Sequence, residues 1–407
     1  MMRTLAACLF ACQLTAWSAQ TQTAPPKDQR SAGKPSVQAV FGGDYLYLAG
    51  QGGVSADGRK PEMFEAQAEL ALQNLKSAVE GAGLTMEHVV YAQVYLDDMQ
   101  NFEKMNQVFA RYFPTAPPAR ACLGVAALPG TKIVISAVAV RDLAQKKVIT
   151  VPGYKLDEPI SAGIRTRDRV FISAMRGRSL ANGDVPSDAG AQVDLALDGM
   201  NAVLNAAGLD MRYVVFVNPF LTRAIPGRTM NQRYAKRFEF GNTPARATIA
   251  VTSLPGGAQI EYTGVAVVNL SDRQAVRPKN MPPSPTASPC VFAADTLYCS
   301  AKSGFIPGPN EGIFVSDVNL QLRQTMRNLL DNLEEAGLDF DSVVSSQIYM
   351  DNLADVPAMD KLYRTYFKGA IPVSTTLQQV APVSREPNKD EQYPTLEQIS
   401  IIAVRKK

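Results

Sequence analysis

One tripeptide, met three times at near-constant spacing, constrains this chain more than any other feature. Ala82-Gly83-Leu84 returns as Ala207-Gly208-Leu209 and as Ala336-Gly337-Leu338, a period of about 126 residues. Each copy closes a stretch whose apolar residues recur at helical spacing. Ala68, Leu72, Leu75 and Val79 share one face, as do Val193, Ala196, Met200, Val203 and Ala207, and then Leu322, Met326, Leu329 and Leu333. The glycine stops each helix because it tolerates the left-handed conformation that helix ends commonly need.

The flanking pattern repeats as well. Runs rich in β-branched and aromatic residues follow each helix at Val89 to Leu96, Val214 to Leu221 and Val343 to Met350, and predict strands. A second helix is marked by Met105-Asn106, Met230-Asn231 and Met359-Asp360. Pro118-Ala119-Arg120 then recurs as Pro244-Ala245-Arg246 and as Pro372-Val373-Ser374, each opening a strand. Leu128 to Gly130 and Leu254 to Gly256 turn into final strands at Ile133 to Val140 and Ile260 to Val267. The third copy has a polar insertion there, Ser384 to Pro394, before Ile399 to Val404. A hairpin, such as Val37 to Phe41 with Tyr45 to Ala49, precedes each first helix. Each repeat reads β-β-α-β-α-β-β, an α/β (α+β) class. Two helices cover one face of such a sheet, and its other apolar face needs a partner. Three joined copies can supply that partner to one another, as a pseudo-trimer within one polypeptide. The expected divisions are 1–24 for an export signal and flexible start, then repeats at 32–150, 151–272 and 280–407. Asp142 to Asp157 and Asn269 to Ala287 are the expected joints.

The export reading rests on Arg3, the short apolar run Leu5 to Leu14, and the small residues of Ala16-Trp17-Ser18, with a cut near Ala24 as the alternative. Cys12 gives only a faint lipoprotein signal. The expected location is therefore periplasmic or extracellular, with no membrane association beyond the signal. Lys and Arg number 41 against 38 Asp and Glu, too even a balance for a phosphate-tracking surface, so no nucleic-acid partner is expected. His88 is the only histidine, which removes His-cluster metal sites and a Ser-His-Asp triad. Neither metal nor cofactor is expected. Beyond the signal, Cys122, Cys290 and Cys299 remain. If Ala294-Asp295 is a two-residue hairpin turn, Cys290 and Cys299 fall opposite each other and predict a cross-strand disulfide.

In this order, Gly43 to Gln51, Asn74-Leu75, the Ala-Gly-Leu helix end, Asn106 and Pro118-Ala119-Arg120 resemble the reactive intermediate deaminase family, also called Rid or YjgF. The resemblance extends over nearly all of residues 35 to 405. It implies a chorismate-mutase-like/YjgF fold, with a central barrel of three sheets, outer helices and clefts between copies. It also implies hydrolysis of 2-imino or 2-enamino acids to 2-oxo acids and ammonia. Such a substrate needs a guanidinium for its carboxylate and a carboxylate to direct water. By resemblance, Arg246 and Glu261 form that pair in copy two, with Asn231 as a polar cleft residue. Copy one keeps Arg120, Asn106 and Cys122 for substrate binding, but has Val134 at the acid's place. Copy three has Ser374 and Gln398. The family's first-strand Tyr is replaced by Ser36, Ile160 and Ala287.

Plainer readings stand beside these. The arginines can be interface ion pairs, Glu261 a solvated strand residue, Asn106 and Asn231 surface groups, and Cys122 a small buried hydrophobe. His88 is expected at the surface. The leading expectation is an exported imine deaminase with one complete cleft, acting on a small carboxylate and monomeric as a chain. A non-catalytic 2-oxo acid binder and a scaffold are the alternatives.

Overall fold

The same local signals that repeat in sequence repeat in space. The protein is described by a computed structural model that covers residues 37–154, 156, 158–279 and 281–405. The export signal, Cys12 and Ser36 lie outside the described residues.

Copy one comprises β1 (Ala39–Gly42), β2 (Tyr45–Gly52), α1 (Phe64–Gly81), β3 (Val89–Leu96), α2 (Phe102–Tyr112), β4 (Ala119–Gly124) and β5 (Ile133–Val140). Copy two follows with β6 (Lys147–Ile149), β7 (Gly163–Arg165), β8 (Arg169–Arg176), α3 (Ala189–Ala206), β9 (Val214–Leu221), α4 (Gly227–Tyr234), β10 (Ala245–Arg246), β11 (Ile249–Ala250) and β12 (Ile260–Val267). Copy three has β13 (Arg273–Val276), β14 (Cys290–Ala293), β15 (Thr296–Cys299), α5 (Val318–Glu335), β16 (Val343–Met350), α6 (Val356–Tyr363), β17 (Val373–Gln378) and β18 (Glu397–Val404).

The long helices end at Gly83, Gly208 and Gly337, whose φ angles of 78°, 75° and 71° match the left-handed stop expected of them. α3 and α5 begin on aspartates. Asp188 accepts from the Ala191 amide at 2.7 Å and Asp317 from the Leu320 amide at 2.9 Å, each satisfying one of the orphan donors of a helix start. α1 starts at Met63 without a side-chain cap.

Each copy forms one sheet with the same order: β1-β2-β5-β3-β4, β6-β7-β8-β12-β9-β10 and β13-β14-β15-β18-β16-β17, with β11 also on β9. The pairings β3–β4, β9–β10, β9–β11 and β16–β17 are parallel, because a helix intervenes; the others are antiparallel. The two joints contribute strands. β6 and β13 extend the second and third sheets, where the sequence suggested linkers alone. Hairpin alternation that buries one face against helices fixes three separate cores, around Leu72 and Leu75, around Met200 and Val203, and around Met326 and Leu329.

The opposite faces bury one another. A cluster containing Tyr95, Leu123, Val134, Phe220, Val251, Tyr349 and Leu377 draws on all three copies. The expected central barrel is not closed, however: the strands pair into three sheets, not one continuous ladder. Among the described residues the sheets meet through isolated bridges, Gly124 to Ser253 and Ala127 to Gln378, and single backbone hydrogen bonds such as the Ala301 amide to the Arg246 carbonyl. Side chains fill the rest. β4 packs on β8, β10 on β15, and β17 on β2, so the copies contact one another cyclically. A narrow cavity of roughly 80 Å³ lies where the three faces meet, with Gln93, Asn218 and Gln347 on its wall.

One residue stitches all three copies. Arg169 opens β8 and is 1% exposed. Its guanidinium lies 4.2 Å from the Tyr45 ring of copy one and donates to Thr296 Oγ1 of copy three at 2.7 Å and to Tyr298 Oη at 3.2 Å. Asp168 and Asp295 each approach it at 3.5 Å. No periodic signal in the sequence marks this position.

In copy three, Cys290 and Cys299 are direct cross-strand partners and form a disulfide. The turn between them places Ala294 at φ 53°. Cys122 is a free, buried thiol. Among the described residues no helix is long and apolar enough to cross a membrane.

Candidate functional site at the seam between copies one and two

A parallel edge strand presents its residues to whatever abuts it. β4, at the edge of the first sheet, abuts β8 of copy two, and this seam is tied by backbone contacts. The Arg120 amide donates to Ser173 Oγ at 2.8 Å, and Ser173 Oγ donates onward to the Ser161 carbonyl at 2.6 Å. The second seam repeats the device: the Arg246 amide donates to Ser300 Oγ at 2.8 Å, which donates to the Ser288 carbonyl at 2.7 Å. Arg120 and Arg246 are therefore equivalent, each aimed at the following copy.

The arginine cradle is also repeated. Arg120 donates to Asn106 Oδ1 at 2.6 Å, lies beside Met105 and stacks 4.6 Å from the Phe109 ring centroid, all on α2. Arg246 donates to Asn231 Oδ1 at 2.8 Å, lies beside Met230 and sits 5.1 Å from the Tyr234 ring, all on α4. Sequence reasoning had left Asn106 and Asn231 open between surface and cleft. Both lie against their arginines.

The acid is found elsewhere than expected. Arg246 and Glu261 belong to different seams. Along β12, Ile260 and Tyr262 face the helices of copy two, so Glu261 between them points to the opposite face. There it is 0% exposed and opposes Arg176 of β8, whose Nε lies 3.5 Å from Glu261 Oε2. Arg176 in turn forms an ion pair with Glu158, and Glu158 forms one with Arg120 at 2.9 Å. The first seam thus unites Arg120, Asn106 and Cys122 of copy one with Glu261 of copy two. In the second seam Gln398 stands at the acid's place on β18, and its Nε2 donates to the Thr248 carbonyl of copy two at 3.3 Å. The third has Ser374 and Val134 at the corresponding places; Val134 and Thr375 crowd Gly50 there. The pair grouped within copy two by sequence is split because strand alternation sends neighbouring residues to different sides.

Burial tunes these groups. It pushes the Glu261 carboxyl up to about 7, against the opposing attraction of Arg176, with Glu158 adding to the rise. Neither Glu261 oxygen accepts a close hydrogen bond among the described residues, and Oε2 has the 3.5 Å approach of Arg176 Nε. Burial likewise raises the Cys122 thiol to about 12, so it behaves as a small hydrophobe and not as a nucleophile. Burial lowers Arg120 from its usual value, opposed by the charges of Cys122 and Glu158. His88 sits at the surface, its Nδ1 accepting from the Thr85 amide at 3.1 Å. Arg176 and Glu158 were not anticipated. Copy one has Gly52 at the Arg176 position, so the repeat gave no cue.

Three stretches of the chain, residues 27–141, 155–268 and 281–387, match the family model described as endoribonuclease L-PSP. The chain belongs to that family three times over. Its curated relatives are RutC and Rid proteins about one repeat long. Protein DfrA of Myxococcus xanthus is 42% identical over 113 residues, 26% of this chain and 85% of that protein. A RutC family protein of Pyrococcus horikoshii is 35% identical, over 26% of this chain and 88% of its own length. Among solved structures, RidA of Psychrobacter is 34% identical, with a TM-score of 0.25, over 28% of this chain and 96% of that one. A chorismatase covers 78% of this chain and 93% of its own at a TM-score of 0.51 and 12% identity, a likeness of fold alone.

Proposed function

We propose that this Rid-family chain, acting as an exported protein, hydrolyses 2-imino or 2-enamino acids to 2-oxo acids and ammonia at the seam between copies one and two. The observation that carries the reading is the meeting of Arg120 with Glu261 across that seam, through Glu158 and Arg176. Arg120, held planar by Asn106 and Phe109, offers a two-pronged donor to the substrate carboxylate. Glu261, as carboxylate, takes a proton from water as the water oxygen bonds to the carbon of the protonated imine. The resulting carbinolamine loses ammonia as its C–N bond breaks, with the nitrogen taking up the proton held by Glu261. The carbinolamine hydroxyl gives its proton to the Glu261 carboxylate as the carbonyl forms, and ammonia takes that proton away as ammonium, which returns Glu261 to its starting carboxylate. An acid poised near neutrality suits both halves of that exchange.

The test is ammonia release from an imino acid generated in situ by an amino-acid oxidase. Arg120→Ala and Glu261→Gln are expected to lose most of the rate, while Arg246→Ala retains it. Equal rates in the wild type, Arg120→Ala and Glu261→Gln refute the proposal.

A second reading has its own support at the second seam. There Arg246 keeps the full cradle and forms no ion pair among the described residues, and Gln398 stands at the acid's place. That combination suits binding of a small carboxylate without turnover. Calorimetry with pyruvate checks it: Arg246→Lys should abolish binding at a site that Glu261→Gln leaves untouched.

A further inference from the structure

We infer that the first seam carries a built-in carboxylate ligand, Glu158, which an incoming carboxylate must displace from Arg120. The inference rests on the reading of Arg120 as a carboxylate binder. Glu158 lies at the start of copy two, just past the joint, and its side chain is 6% exposed. Its Oε2 accepts from Arg120 Nη2 at 2.9 Å and from Arg176 Nη2 at 3.1 Å, while Oε1 accepts from Arg176 Nη1. One carboxylate therefore uses both oxygens on two guanidinium groups, which is how a bound acid would be held.

Comparison of the two seams separates this carboxylate from the fabric of the fold. Arg120 and Arg246 have the same cradle: a methionine, an asparagine, an aromatic ring and a serine at the backbone amide. That cradle forms around Arg246 without any carboxylate, since the residue in register with Glu158, counted back from Ser161 and Ser288, is Pro285. Accordingly Arg120 is 2% exposed, whereas Arg246 is half-buried. Glu158 is an addition that covers the ligand-facing side of an arginine already held in place. A buried ion pair of this kind adds little net stability over an apolar filling, because desolvation offsets most of its attraction. Competition for Arg120 is a role that the second seam's open geometry makes distinct. The chemistry that displaces Glu158 is that of a small monocarboxylate, such as a 2-oxo or 2-imino acid.

The experiment compares the full-length wild type with Glu158→Ala and Glu158→Gln, each in an Arg246→Lys background that silences the second seam. Pyruvate binding is followed by calorimetry, and melting is followed in sodium formate against sodium chloride at equal ionic strength. The expected result is pyruvate affinity at least about tenfold higher in both variants, because the tethered competitor is gone. Formate should raise the melting temperature of Glu158→Ala but not of the wild type, as a ligand selective for the folded state does. Adding Arg120→Lys should erase both gains. Unchanged affinity with no formate effect overturns the inference, as does a Glu158→Ala chain that fails to fold in either salt. Gained affinity without ammonia release by any form would end the hydrolase reading and leave this one standing. Turnover by the wild type with no gain in the variants would do the reverse.

Discussion

Glu261 is fully buried, with only the distant guanidinium of Arg176 beside its oxygens among the described residues, and this makes a quantitative claim about pH. Its carboxyl is raised from 4.5 to about 7, first by burial and then by Glu158, against the pull of Arg176. In the unfolded chain the same group ionises near its ordinary value. Between those two values the folded state holds a proton that the unfolded state has released, so stability falls as pH rises through the window from about 4.5 to 7. A rise of that size corresponds to about 3 kcal/mol at full development, at roughly 1.4 kcal/mol per pH unit. From pH 5 to pH 8, linkage gives a loss of about 2 to 3 kcal/mol attributable to this group. Glu261→Gln is isosteric and does not titrate. The stability of the variant relative to wild type should therefore grow by about 2 to 3 kcal/mol between pH 5 and pH 8. Urea unfolding followed by circular dichroism at both pH values measures the difference, and other titrating groups cancel to first order. A difference that stays constant with pH, or one that shrinks, refutes the burial argument for this acid. If Glu261 is also the base, kcat/KM should rise with pH through about 7, and the glutamine variant should lack that limb.

Three further outcomes follow from the geometry. Arg169→Ala removes the one side chain that contacts Tyr45, Thr296 and Tyr298 in different copies and leaves buried hydroxyls and Asp168 without it; the expected loss is about 3–5 kcal/mol by denaturant unfolding, and a loss below about 1 kcal/mol would show that the three sheets do not need it. Replacing Cys290 and Cys299 together by alanine opens a loop with a sequence separation of 9, and should cost about 2–3 kcal/mol; thiol titration of the unreduced, denatured wild type should find this pair unreactive. Gly124→Ala places a methyl 2.3 Å from Ser253 Oγ and 3.0 Å from the Ser253 carbonyl, so the first and second copies must part locally; a melting temperature equal to wild type would mean that this bridge is dispensable.

The elements were legible because their signals are local. Helical spacing around Leu72, Met200 and Met326 needs only a few turns of chain, and β-branched runs such as Val89 to Leu96 declare a strand by themselves. The cross-strand position of Cys290 and Cys299 followed from one two-residue turn. What stayed hidden was which copy faces which. Arg246 and Glu261 stand on successive strands of one repeat, and their nearness in sequence suggested a shared cleft. Yet β10 is an edge strand that addresses copy three, whereas Glu261 leaves β12 on the face turned to copy one. Edge-strand direction and side-chain alternation together decide the pairing, and neither is visible until the sheets are placed. Arg176 was hidden for a related reason: it stands where copy one has Gly52, so a search for repeated residues passes over it.

That asymmetry is what covalent joining permits. Three identical subunits would present three identical seams, and a change at one would be a change at all. Here each seam is built from a different pair of copies. An acid retained only on copy two completes only the seam that copy two shares with copy one, while a guanidinium retained on copy two serves the seam shared with copy three. One polypeptide can therefore hold a seam with both groups, a seam with the guanidinium alone and a seam with neither, on a scaffold whose cores remain alike. The start of copy two, just past the joint, also delivers Glu158 to the first seam. The start of copy two is thus part of the site's chemistry, and replacing Glu158 should alter ligand affinity at Arg120 before it alters folding.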